Sequence, residues 1–165
     1  MHHDEVYLPP GGGPLVDLGG LGVQFTVPGA RTGGAFAVVE HPVAPGVIVE
    51  PHVHANEDEL SYVLAGTVWA RVGEVEVEAE TGSYVWKPRH VLHTFWNPGP
   101  EPARILEIIS PAGFEVFFDE LATLLQQSPP PSEEQVYQLC DRYGLSFDRS
   151  WLPGLEERFG PMRMV

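Results

Sequence analysis

At 165 residues, with 43% apolar and 19% charged residues, the chain can bury one full core and is too apolar to be disordered. A formal net charge of −14 repels nucleic acid and anionic membranes alike, and no apolar stretch approaches the ~20 residues of a membrane-spanning helix. Cys140 is the single cysteine, so disulfide frameworks and zinc-finger spacings are excluded; with no signal-peptide layout at the N-terminus, the cytoplasm is the expected compartment.

Residues 1–20 read as an N-terminal arm. Pro9-Pro10-Gly11-Gly12-Gly13-Pro14 is a loop with no helix behind it, so it lacks the context of a phosphate-cradling glycine loop, and His2 and His3 are assigned no role. Residues 21–112 read as a β-domain. Short runs rich in Val, Phe, Ile and Thr fall near 22–27, 35–40, 46–50, 60–64, 67–72, 75–79, 84–86, 92–96 and 103–109. The 18 glycines and 17 prolines punctuate them, a pattern that predicts an antiparallel sandwich or barrel. Within it, Glu74-Val75-Glu76-Val77-Glu78-Ala79-Glu80 alternates strictly, predicting a strand with valines inward and glutamates in water. Gly66 and Gly73 fall where hairpins must turn.

Beyond Pro111 the period becomes helical, and residues 113–165 read as a C-terminal extension packing on the β-domain. Phe114, Phe117, Phe118, Leu121 and Leu125 form one stripe, expected to lie against the outside of a sheet in preference to covering a cavity. Ser128-Pro129-Pro130-Pro131 ends that helix. Ser132 with Gln135 three residues on predicts a capping box for a second, with Val136, Leu139, Cys140 and Tyr143 as its apolar face and Gly144 as its stop. A third short helix is expected over 150–158, with Pro153 in its first turn.

The chemistry lies in two segments. The first is Gly46-x5-His52-x-His54-x4-Glu59-x6-Gly66, and the second Gly82-x5-Pro88-x-His90-x2-His93-x3-Asn97. On a strand, residues i and i+2 share a face, so His52 and His54 can reach one point, with Glu59 and His93 brought in by neighbouring strands. Three imidazoles and a carboxylate suit one divalent transition metal, Fe, Mn, Ni, Cu or Zn, with coordination positions left open. Strand parity puts Phe95 on the same side as His93 and Ser61 on the same side as Glu59. Trp69, Trp86, Phe36 and Phe25 are the other candidates for an aromatic pocket.

These two segments resemble the paired motifs of the cupin superfamily, and the whole chain resembles its single-domain proteins grouped with quercetin 2,3-dioxygenases. Every fixed motif position is present except one: His90 stands where the family has glycine, which predicts an unusual backbone angle there. The resemblance implies an all-β, antiparallel double-stranded β-helix, the jelly-roll barrel of cupins. It implies a dioxygenase that cleaves an aromatic or enolic small molecule with O2, Glu59 serving as metal ligand and catalytic base while His52, His54 and His93 hold the ion. A zinc-dependent polyketide cyclase or isomerase, and a non-catalytic small-molecule or metal-binding module, are the alternatives. A homodimer paired through sheet edges is also compatible with it.

Overall fold

Two β-sheets face each other in the computed structural model, which describes residues 6–165 and so leaves His2 and His3 outside the described residues. The first sheet is antiparallel, in the order β1 (Leu15–Asp17), β2 (Gly22–Val27), β3 (Ala37–Val43), β11 (Ala103–Ser110), β6 (Asp58–Ala65) and β9 (Tyr84–Lys87). The second centres on β10 (His93–Asn97), which pairs with β4 (Val47–Ile48), β5 (His52–His54) and β7 (Thr67–Val72). β8 (Val75–Glu80) lies beyond β7, β12 (Leu145–Phe147) beyond β5, and β13 (Arg163–Met164) runs parallel to β4. The sheets stay separate, so the all-β jelly roll is an open sandwich and not a closed barrel. No helix among the described residues is long and apolar enough to cross a membrane.

Local chemistry sets the turns. Gly66 joins β6 to β7 at φ +74°, and a Cβ there would meet the Pro102 carbonyl oxygen and the Ala103 Cα at 3.0 Å, so only glycine fits. His90 has φ +64°, the one non-glycine residue with positive φ among those described, as its motif position predicts. Its N–H donates to the His54 carbonyl at 2.8 Å. Beside it, Arg89 donates from Nε and a terminal nitrogen to the two oxygens of Asp58 at 3.1 and 2.8 Å. The strained turn therefore clips the second motif onto the first.

Three apolar clusters hold the layers. Val43, Val63, Val68, Phe95 and Ile105 fill the space between the sheets. Trp96 and Ile48, on the outer face of the second sheet, are covered by Leu155 and Phe159 of helix α3 (Leu152–Phe159). The remaining cluster joins Val23, Val39 and Ile109 of the first sheet to Phe114, Phe117 and Phe118 at the start of α1 (Glu115–Leu125) and to Leu139 and Cys140 of α2 (Glu133–Arg142). The capping box forms: the Gln135 N–H donates to Ser132 Oγ at 3.3 Å and the Ser132 N–H to Gln135 Oε1 at 2.9 Å. A 3-10 turn over Arg149–Trp151 delays the third helix to Leu152.

Two expectations need correction. Val75 and Val77 share the inward face with their partners Val72 and Ala70, yet they are 63% and 38% exposed. β8 pairs only with β7, so its turn-proximal half runs past the core and only Ala79 is covered. On the opposite face Glu76 is not free in water but holds Arg158 of α3. The phenylalanine stripe is likewise not on the outside of a sheet: Phe114, Phe117 and Phe118 close the open end of the sandwich against inward-facing residues.

Candidate metal centre

The register of β5 against β10 places His52 opposite His93, with ring centroids 4.4 Å apart. His54, two residues along β5, points the same way, and its ring stacks on His93 at 5.5 Å. Glu59 comes from the other sheet. On β6 the inward positions are Glu59, Ser61 and Val63, so the carboxylate projects across the sandwich towards the imidazoles. One donor atom from each of His52, His54, Glu59 and His93 lies within 4.8 Å of the others, and all four side chains are buried.

These residues fit a divalent metal. His52 Nδ1 is bonded to the Glu50 carbonyl at 2.7 Å and His93 Nδ1 to the Val91 carbonyl at 2.9 Å, which fixes each Nδ1 as the protonated nitrogen and leaves Nε2 with a lone pair. The Nε2 atoms of His54 and His93 are buried without a hydrogen-bond partner, a cost that a cation would relieve. Their distances to Glu59, 3.5 Å to Oε1 and 3.4 Å to Oε2, match the roughly 3–4 Å separation of donors that each sit about 2 Å from one ion. Burial, with the neighbouring imidazoles, holds His52 well below the ordinary histidine range, and burial lowers His93 too, so both rings are neutral, the form that a metal ion would require. Burial alone would push Glu59 up, but the Lys87 ammonium, with His54 and His93, outweighs it and holds the carboxyl well below its ordinary range.

Three polar groups that sequence reading did not place surround this cluster. Glu57 Oε2 sits 3.5 Å from His54 Nδ1, close by but with neither atom hydrogen-bonded. Lys87, only 2% exposed, bridges Glu59 Oε2 at 2.9 Å and Glu107 Oε2 at 2.7 Å, and Ser61 donates to the same Glu107 oxygen at 2.8 Å. Burial raises the Glu107 carboxyl to about 7 against the opposing pull of Lys87, while Glu107 and Glu59 together keep the buried Lys87 ammonium raised. One signal was available: Lys87 is the chain's single lysine and shares inward parity with Val85.

Beside the cluster lies a cavity of about 150 Å³, with His52, His54, Glu59 and Lys87 on its polar side and Phe95, Phe114, Phe117 and Phe118 among its apolar walls. Ser61 is not on its lining but beneath it, committed to Glu107. The other aromatic candidates lie elsewhere. Trp69 stacks near Trp96 and Phe159 on the outer face, because Val68 and Ala70 take the inward positions of β7. Trp86 is 55% exposed because Val85 and Lys87 point inward, Phe36 is 41% exposed, and Phe25 packs at the edge of the helix-facing cluster. A larger groove of about 660 Å³ between residues 6–12 and the outer face of the first sheet includes none of the four donors.

Residues 40–109 match the family described as Cupin domain. Tetracenomycin polyketide synthase protein TcmJ from Streptomyces glaucescens is 35% identical over 69 residues, covering 42% of this chain and 46% of that protein. Protein SchB from Streptomyces halstedii is 31% identical over 86 residues, covering 52% and 60%. The chain thus spans about half the length of these curated relatives. Among solved structures, an RmlC-like cupin from Shewanella frigidimarina superposes with a TM-score of 0.55 at 22% identity, over 68% of this chain and 93% of that one, a likeness of fold.

Proposed function

From the match of residues 40–109 to the Cupin domain family and the donor cluster they hold, we propose that this chain is a metal-dependent enzyme acting on an enolisable, hydroxyl-bearing aromatic molecule of the polyketide kind. The observation that carries the reading is the juxtaposition of a His3Glu donor cluster with a cavity walled by phenylalanines. His52, His54, Glu59 and His93 would hold a divalent ion, which would supply Lewis acidity to a substrate oxygen. Phe95, Phe114, Phe117 and Phe118 bind a flat ring and exclude water from it. Glu59, anionic and buried, accepts the proton of the substrate hydroxyl, and Lys87 keeps that carboxylate oriented by holding its Oε2. The volume of about 150 Å³ admits about one ring at a time, comparable to a cavity that takes up benzene.

Proton transfer without net oxidation, as in a cyclase or isomerase, is the favoured reaction, supported by the match to a polyketide synthase protein. The same donor set is also compatible with oxygenolytic cleavage, the reaction of a quercetinase-like dioxygenase, because His52, His54 and Glu59 border the cavity and four protein donors would not fill a six-coordinate ion. Metal analysis of the purified protein, followed by incubation with flavonols and with aromatic polyketide precursors in air and under argon, separates the two. Conversion under argon is expected. Turnover that stops without O2, with oxygen uptake and ring cleavage in air, would establish the dioxygenase instead. Binding without conversion in either atmosphere would leave a non-catalytic cupin and refute both.

A further inference from the structure

His41 is a histidine that neither motif contains. It lies on β3, inward-facing and 3% exposed, and its ring forms part of the cavity wall beside Phe95 and Phe118, at centroid distances of 6.3 and 5.4 Å. Its Nδ1 is hydrogen-bonded to the Gly22 carbonyl oxygen at 2.9 Å. A carbonyl only accepts, so Nδ1 carries the proton and Nε2 of the neutral ring carries a lone pair. No protein group among the described residues bonds that Nε2. Burial lowers the ring to about 4, which keeps it neutral near pH 7 and preserves this arrangement.

We infer that His41 is a specificity-determining residue: its Nε2 accepts a hydrogen bond from a hydroxyl of the ligand, at a second polar point in the cavity distinct from the four-donor cluster. The acceptor is fixed in kind. With Nδ1 committed to Gly22, the ring has no proton to offer a carbonyl or an ether oxygen, so it favours ligands that present O–H at this point and disfavours their methyl ethers or ketones. Lys87 and Glu107 also border the cavity; Lys87 is paired with Glu107 Oε2 and with Glu59, while Glu107 Oε1 is buried without a partner. His41 therefore offers a ligand a neutral acceptor beside Phe95 and Phe118, apart from the charged carboxylates and the four-donor cluster.

This inference rests on the reading of the cavity as a binding site, and its test keeps the two apart. Phenol and its methyl ether, anisole, are small enough for a cavity of about 150 Å³ and differ in the one donor at issue. Dissociation constants are measured by amide chemical-shift titration on zinc-free and zinc-loaded protein. In zinc-free wild type, phenol should bind about ten-fold better than anisole. In His41→Asn the side-chain amide still donates to the Gly22 carbonyl, but nothing accepts at the Nε2 position, and the preference should fall several-fold. In His41→Gln an oxygen returns near the Nε2 position while the Gly22 bond is lost, and part of the preference should return. If the role is only to brace Gly22, the order of the two variants reverses: Asn keeps wild-type behaviour and Gln does not. An unchanged phenol preference in His41→Asn overturns the inference while leaving the cavity intact, and failure of both probes to bind either form overturns the cavity reading with it.

Discussion

Lys87 tests the buried electrostatics most directly. It bridges two carboxylates at 2.9 and 2.7 Å with both partners at most 5% exposed, so Lys87→Met removes the sole cation from a site that retains Glu59 and Glu107. Removing one partner of a buried ion pair leaves an uncompensated charge and costs about 3–5 kcal/mol. At roughly 2–4 °C per kcal/mol for a chain of this size, the metal-free variant should melt about 6–20 °C below metal-free wild type. Metal binding should move in the opposite direction. Lys87 repels a divalent cation and holds Glu59 Oε2, leaving Oε1 to ligate; without it both oxygens are available, and an ion would restore the missing positive charge. The increase in Tm on adding zinc should therefore be larger in Lys87→Met than in wild type. Thermal unfolding of chelator-treated protein, with and without saturating zinc, measures both quantities. A loss below about 1 kcal/mol would refute the bridge, since surface pairs cost that little. A zinc-induced rise in Tm no larger than wild type's would refute the competition between Lys87 and the ion for Glu59.

Other expectations follow from single residues. His54→Ala removes a ligand at 0% exposure whose Nε2 faces Glu59, and should abolish stoichiometric metal retention through a desalting column, measured by elemental analysis; a retained equivalent would move the site. His90→Gly relieves a left-handed backbone worth about 1–2 kcal/mol at the expense of about 0.5–1 kcal/mol of unfolded-chain entropy. Urea denaturation should show a gain between about zero and 1.5 kcal/mol with metal content unchanged. Stability against pH carries two opposing signatures. His41 is lowered from 6.5 to about 4, so its contribution is present above pH 6.5 and lost on acidification to 4, about 3 kcal/mol in all. Glu107 is raised from 4.5 to about 7, so its contribution is present below 4.5 and lost as pH rises through 7, of similar size. Glu107→Gln should then steepen the acid loss measured by denaturation between pH 7 and 4.5, and His41→Asn should flatten it. Parallel curves for both variants and wild type would rule out these assignments.

The four donors were legible because their placement needs only the period of a strand and turns at fixed positions. His52 and His54 share a face by parity, and Gly46, Gly66, Gly82 and His90 all take the positive φ that their motif positions require. The pocket was less legible for a specific reason. Size and aromaticity drew attention to Trp69 and Trp86, while parity alone, applied to β9, would have turned Lys87 inward and Trp86 out. A buried lysine looks improbable until its partner is known. That partner, Glu107, comes from β11 and meets Lys87 across β6, a register that no local pattern encodes.

The phenylalanine stripe shows the complementary gap. Helical periodicity says that Phe114, Phe117 and Phe118 must be buried, and is silent about what buries them. The deciding contact is made later in the chain: β12 hydrogen-bonds along β5, with Leu145 opposite His54 and Phe147 opposite His52. That pairing ties the helical extension to the strand carrying two of the four donors, so α1 and α2 close over the cavity. Phe114, with its ring 4.3 Å from that of His54, thereby becomes a wall of the site. The donor cluster and the apolar wall are consequently joined through one strand pair. A change in how β12 seats on β5 would therefore shift His52 and His54 together with the phenylalanines that wall the cavity.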